Sequence, residues 1–134
     1  MVSKHSEQLP AKFTKSSRLL KHVDFDRVYR HGQRHFSSNM TVFFLKRTAP
    51  GPASGARLGF TVGRGLGGAV QRNRIRRRMR EAARLNLRAL KVPVDVVINP
   101  KKSALMADFQ ALRGEVREAF GAIARTATGE QKKK

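Results

Sequence analysis

Nine basic side chains crowd one stretch of this sequence. They are Arg72, Arg74, Arg76, Arg77, Arg78, Arg80, Arg84, Arg88 and Lys91, with Glu81 as the only acid between residues 70 and 91, a local balance of +8. All but Lys91 are arginine, the residue whose planar fork grips phosphate through two parallel hydrogen bonds and stacks on nucleobases. An ordinary solvated helix face mixes signs, because opposite charges four residues apart stabilise it by about 0.2–0.5 kcal/mol per pair and like charges destabilise it by a similar amount. A face that repeats one sign is matched to a polyanion, which relieves the repulsion when it binds. The chemistry open to this stretch is therefore nucleic-acid binding. Its helical setting, between core segments, favours a shaped target such as folded RNA.

Nothing comparable supports catalysis. A two-metal nuclease needs clustered carboxylates, and the nine acids are spread as Glu7, Asp24, Asp26, Glu81, Asp95, Asp108, Glu115, Glu118 and Glu130. Asp24 and Asp26 diverge on a helix, and Glu115 and Glu118 read as surface acids beside Arg117. His22, His31 and His35 lie near the first expected helix without a carboxylate pattern suited to acid–base work. Cysteine is absent, which removes disulfides, thiolate catalysis and the common zinc modules, so no bound metal is expected. Gly63-Arg64-Gly65-Leu66-Gly67-Gly68 matches GxGxxG in the right context, after an expected strand and before a helix. The acid that should end a second strand about 20 residues on is missing, since Glu81 falls in mid-helix. No nucleotide cofactor is expected. The glycines read as a flexible turn that lets backbone approach a phosphate at the positive end of a helix.

The arginines need elements to position them. At about 100° per residue, residues 70–90 put Ile75, Met79, Ala82, Ala83 and Leu90 in one sector, with Asn86 at its polar edge. This sector can dock on a sheet, leaving Arg74, Arg77, Arg84 and Arg88 opposite and Arg78 and Arg80 on the flanks. Upstream, Asp24 is placed to cap a short helix through Arg30 with Gly32 to end it, and Phe25 and Tyr29, four apart, share a face. Residues 36–46 and 57–62 are rich in β-branched and aromatic types and read as two strands paired antiparallel, joined through a turn at 50–55. Residues 94–98 read as a short buried strand, after which Asn99-Pro100 turns the chain into a last helix. In that helix Leu105, Phe109, Leu112, Val116, Phe120 and Ile123 recur at spacings of three and four, a core-facing stripe. The order, αββαβα or αβββαβα, predicts an α+β two-layer sandwich, a small sheet packed on one side by helices.

The chain has 134 residues, enough for one modest core, and 29 Lys plus Arg against nine Asp plus Glu give +20. No apolar run approaches a membrane span and the first ten residues lack a signal peptide's apolar core, so a cytoplasmic protein without a membrane partner is expected. Residues 18–126 are expected to form the single RNA-binding domain, between disordered basic tails at 1–17 and 127–134.

The run Ala69-Val70-Gln71-Arg72-Asn73-Arg74-Ile75-Arg76-Arg77-Arg78-Met79-Arg80-Glu81 resembles the signature helix of the bacterial ribonuclease P protein family. Arg18-Leu19-Leu20, Asp24-Phe25, Val28-Tyr29 and Gly32 are similar to the family's opening, and Gly59-Phe60-Thr61-Val62 to its central strand, so the resemblance runs from Arg18 to Arg125. It implies a subunit of a ribonucleoprotein in which a catalytic RNA, with its own magnesium, removes the 5′ leader of precursor tRNA. The partners implied are ribonuclease P RNA and precursor tRNA, with no catalytic residue in the protein and no cofactor bound by it alone. Arg72, Asn73, Arg74, Arg76, Arg77, Arg80 and Arg84 match positions that face the catalytic RNA, while Phe25 and Tyr29 match a cleft for the single-stranded leader. The resemblance also implies a left-handed βαβ crossover, against the general rule. Where the family usually has Ser-Lys-Lys and Gly-Asn, this chain has Gly63-Arg64-Gly65 and Gly67-Gly68, which predicts a more mobile loop with fewer basic contacts.

Two other readings fit the composition. One is a structural ribosomal-RNA-binding protein. The other is a DNA-binding regulator, which is disfavoured because arginines with Asn73 offer few of the mixed polar side chains of base readout and no short helix stands directly before the arginine helix.

Overall fold

The computed structural model describes residues 21–47 and 55–127. The expected tails at 1–17 and 127–134 lie outside these residues but for Ala127, as does the turn at 50–55 but for Gly55. Helix α1 (His22–His31) leads into strands β1 (Gln33–Phe36) and β2 (Met40–Lys46), then β3 (Arg57–Phe60), helix α2 (Ala69–Asn86), strand β4 (Val94–Pro100) and helix α3 (Phe109–Ala127). Among the described residues the strands form one mixed sheet in the order β1-β2-β4-β3.

That order corrects two expectations. The run 36–46 is two strands, because the polar Ser37-Ser38-Asn39 interrupts it and turns β1 back onto β2, with Phe36 opposite Thr41. The segments 40–46 and 57–60 do not pair with each other. Strand β4 lies between them, antiparallel to β2 and parallel to β3. The physical reason is burial: Val94 to Ile98 are all buried, a nearly unbroken apolar run that suits only a central strand. The strand also continues through Pro100 instead of turning at Asn99. Ile98 accepts a bond from Thr61 on the β3 side and Lys101 donates to Asn39 on the β2 side. By alternation the Pro100 nitrogen faces the β3 side, past the last β3–β4 pair at Phe60 and Ile98, where the ladder has already ended.

Alternation also splits the sheet into two faces. Met40, Val42, Phe44, Leu58, Val94, Val96 and Ile98 point to the main core and pack against Ile75, Met79, Ala82, Ala83, Leu112, Val116, Phe120 and Ile123. This is the α+β sandwich of sheet and helices, with the buried stripe of α2 where periodicity put it and that of α3 running from Leu112 to Ile123; Leu105 lies in a short turn before α3, and it and Phe109 are partly buried against the core. Asn86 ties the two helices together, its Nδ2 donating to the carbonyls of Ala82 and Arg113 at 3.0 and 3.1 Å. The sheet is not packed on one side alone: helix α1 lies on the opposite face, where Val28 and Val97 are buried together with Phe25, Phe43 and Leu45 around them, because β2 and β4 carry apolar residues on that face too.

Asp24 does not cap α1. Lys21 is the cap residue, without a side-chain bond, and Asp24 is buried in the first turn. Gly32 does end the helix, its N–H donating to Val28, but its φ of −85° is open to any residue. Glycine is required there for room, since a Cβ would sit 2.5 Å from the carbonyl oxygens of both Phe44 and Val28. Gly32→Ala should therefore destabilise the fold by about 1–3 kcal/mol, the range for forcing extra volume into a packed site, measured as a lower urea midpoint with an unchanged slope.

Candidate RNA-binding surfaces

The first surface is the sheet face beside α1. Near the start of the central strand is Asp95, 1% exposed among valines. Arg57 on β3 grips this carboxylate with two bonds, Nε to Oδ1 and Nη2 to Oδ2, both 2.9 Å. Arg47, just past β2, donates to Oδ1 at 2.8 Å and to the Gly55 carbonyl at 2.7 Å. Arg57 Nη2 also lies 3.4 Å from Asp24 Oδ1 on α1, which Arg27 approaches at 3.2 Å. Hydrogen bonding to Asp95 raises the Arg57 pKa above its ordinary value, against a burial that works the other way. The charged clasp thus ties β2, β3 and β4 together and fastens α1 across them.

Clasped in this way, α1 presents Tyr29 at the rim. Its ring meets Phe43 edge-on with centroids 4.9 Å apart, and its hydroxyl bonds Thr61 Oγ1 at 2.7 Å and donates to Asn99 Oδ1 at 2.9 Å. Phe25, the other aromatic singled out in the sequence, is half-buried against Val28 and Val97 and serves partly as packing. The pairing registers align Phe36, Thr41 and Asn99 across β1, β2 and β4 on this face, and Thr61 continues the row beyond β3. Arg34 on β1 spans two rings, its guanidinium carbon 5.7 Å from the Phe36 centroid and 5.8 Å from that of Phe43. The sequence reading passed over Phe43, Arg34, Phe36, Thr41, Asn99 and Thr61. The period-two alternation of Thr41, Phe43 and Leu45 was the available signal for β2, but the rest depends on strand order.

The second surface is α2, on the other face of the sheet. Its arginines do not share one side. Arg72, Asn73, Arg76 and Arg80 flank the buried stripe on one side, while Arg74 lies on the other and Arg77 stands near the outward crest. Arg74 and Arg77 line an open groove with Arg78, Glu81 and Phe109. Several of these side chains are already engaged. Arg72 donates to the Gly67 carbonyl at 3.2 Å and Arg76 to Asn73 Oδ1 at 2.8 Å. Arg84 holds Glu81 with bonds of 3.0 and 2.7 Å, which lowers the Glu81 pKa and keeps it ionised. Arg78 donates to the carbonyls of Ala104, Leu105 and Ala107, fastening the 102–107 turn to α2. Arg74, Arg77 and Arg80 are exposed. The Gly63–Gly68 turn is tied down at several points, by Leu66 to Gly63 and Gly67 to Arg64 backbone bonds and by Gln71 Oε1 accepting from the Gly68 N–H at 3.0 Å. Gly67 has a φ of +131°, which only glycine adopts freely.

The chain matches the family described as ribonuclease P over residues 13–124. It is 38% identical to the ribonuclease P protein component of Citrifermentans bemidjiense, covering 83% of this chain and 91% of that protein. It is also 38% identical to the protein of the same name from Symbiobacterium thermophilum, covering 79% and 90%. Among solved structures it superposes on the RNase P protein of Thermotoga maritima with a TM-score of 0.67 at 27% identity, over 78% of this chain and 94% of that one. The Staphylococcus aureus RNase P protein gives 0.68 at 25% identity, over 83% and 97%.

If the clasp holds α1 in place, Arg57→Gln should free that helix selectively. Hydrogen exchange of the amides in residues 22–31 is expected to accelerate well beyond that in α2, with global stability lower by about 1–3 kcal/mol for the disrupted charged hydrogen bonds. Equal acceleration in both helices would deny the clasp this local role.

Proposed function

This chain belongs to the ribonuclease P protein family, as the protein subunit of an endoribonuclease ribonucleoprotein, and from that premise we propose how its two surfaces divide the work. The α2 arginines bind the catalytic RNA, and the sheet face beside α1 takes the single-stranded 5′ leader of precursor tRNA. The observation that carries this reading is the opposition of the two surfaces. An arginine helix and an aromatic, polar-rimmed sheet face lie on opposite sides of one four-stranded sheet, so one small domain can touch two RNA segments at once.

Each surface suits its segment. Folded RNA offers phosphates in fixed positions, which the guanidinium forks of Arg72, Arg74, Arg76, Arg77 and Arg80 can meet, with Asn73 bonded to Arg76 among them and Arg84 balanced by Glu81. A leader varies in sequence and must be held without base readout. Stacking on Tyr29 and Phe43, with Phe25 behind them, is tolerant of any base and contributes about 1–3 kcal/mol per base. Thr61, Asn99 and Thr41 supply hydrogen-bonding groups along the same row.

No three His, Asp or Glu side chains among the described residues could hold a metal ion together. The magnesium implied by the resemblance would be held by the RNA. In this reading the chemistry belongs to the RNA, and the protein raises the local occupancy of its substrate.

Three measurements test the division of labour. A bacterial ribonuclease P RNA at low magnesium should cleave precursor tRNA only when this protein is added, and the protein alone should cleave nothing. Tyr29→Ala and Phe43→Leu should weaken binding of precursor about 5- to 150-fold and leave mature tRNA unaffected. Arg72→Gln and Arg76→Gln should weaken both complexes and reduce the salt slope by roughly one per lost phosphate contact. No rescue of cleavage by an RNA that is active at high magnesium would point to a structural role on another RNA.

A further inference from the structure

Phe36 is 68% exposed, although it sits in a β-strand of a domain with room in its core for other large side chains. Packing does not explain it. The ring stands on edge strand β1, on the same face as Phe43 and Tyr29, and Arg34 is poised between it and Phe43. Within the row of Phe36, Thr41 and Asn99, β1 is two strand spacings from β4, roughly 10 Å. A single strand that leaves Tyr29 and Asn99 along this row therefore arrives at Phe36 within a few nucleotides.

We propose that Phe36 and Arg34 form an additional base-stacking subsite, which extends the single-stranded RNA track beyond α1 onto β1. The inference deepens the leader-binding reading and rests on it. An exposed ring offers a face to any base, and Arg34 can neutralise the adjoining phosphate while remaining against the rings. Single-stranded RNA is the occupant favoured by the +20 charge of the chain, by the cation between the two rings and by the continuity of this patch with the aromatic cleft. A second protein on the exposed β1 edge is the competing occupant.

The test uses full-length protein assembled with ribonuclease P RNA and a nested series of precursors whose oligouridine leaders differ in length. Phe36→Ala should fold normally, because little of the ring is buried, and its melting temperature should match that of the parent. The parent's affinity should rise with each added nucleotide until the leader passes Phe36. The variant should match the parent for short leaders, stop gaining earlier, and bind long leaders about tenfold more weakly, while Phe36→Tyr should restore the gain.

Equal affinity of Phe36→Ala and parent at every length would overturn the subsite, and so would an equal loss at every length and on mature tRNA. Tyr29→Ala separates the two levels of the reading. If it loses precursor affinity while Phe36→Ala does not, only the subsite fails, and if neither loses affinity the leader cleft fails with it. Sedimentation of the free protein closes the remaining route: self-association abolished by Phe36→Ala, with RNA affinity unchanged, would make the ring a protein contact.

Discussion

The geometry of this protein turns on one buried carboxylate. Asp95 sits in the central strand, almost sealed from water, and two guanidinium groups from flanking segments converge on it. Buried ion pairs are poor sources of net stability, because desolvation offsets much of the attraction. Their value lies in direction. A carboxylate with two lobes and a guanidinium fork admit few relative orientations, so Asp95 fixes how β3 and the end of β2 meet β4. Through the second contact of Arg57 with Asp24 it also fixes the lie of α1. An apolar substitute could fill the same volume, but α1 would then be held only by the small patch around Val28 and Val97 and by the bonds of the Tyr29 hydroxyl to Thr61 and Asn99.

The arginine helix obeys a different constraint. It must bury a stripe against the core and keep a high positive charge in solvent, and the side chains divide the task by position. Small or flexible residues, Ala82, Ala83 and Met79, line the buried stripe, and the closest backbone neighbours of α2 are α3 and the turn at 102–105. Some arginines serve the fold itself: Arg78 fastens a turn, and Arg84 is matched by the only acid on the helix. A count of basic residues therefore overstates the charge free to meet a ligand.

The contrast between what the residues foretell and what they conceal follows the range of the interactions. The stripes of α2 and α3 were legible because helix periodicity is local, and the arginine motif because its spacing is local too. The membership of Ser37-Ser38-Asn39 in a hairpin was also written in turn chemistry, although the surrounding β-branched residues masked it. Strand order was not legible, since the insertion of β4 between β2 and β3 depends on partners some fifty residues away for β2 and 38 for β3, as in the Leu45 and Arg57 pairings with Asp95. With the order hidden, the row of Phe36, Thr41 and Asn99 could not be assembled, nor the grip of Arg57 on Asp95. Phe25 and Tyr29 were found by their helical spacing, but their difference in burial is set by the sheet beneath them.

The central position of β4 carries a consequence for how the chain comes into being. Among the described strands it is the last to be synthesised, yet it supplies the inner edge of both neighbours. Until residues 94–100 have left the ribosome, β2 lacks one partner and β3 lacks its only one, and the stripe of α2 has no completed sheet to cover. Pairing of distant segments is slow relative to local helix formation, so the emerging chain passes through a period in which its cationic helix can form while its core cannot close. During that period the positive charge of α2 is displayed before the sheet that orients it, and the late arrival of one valine-rich strand fixes the direction in which that charge points.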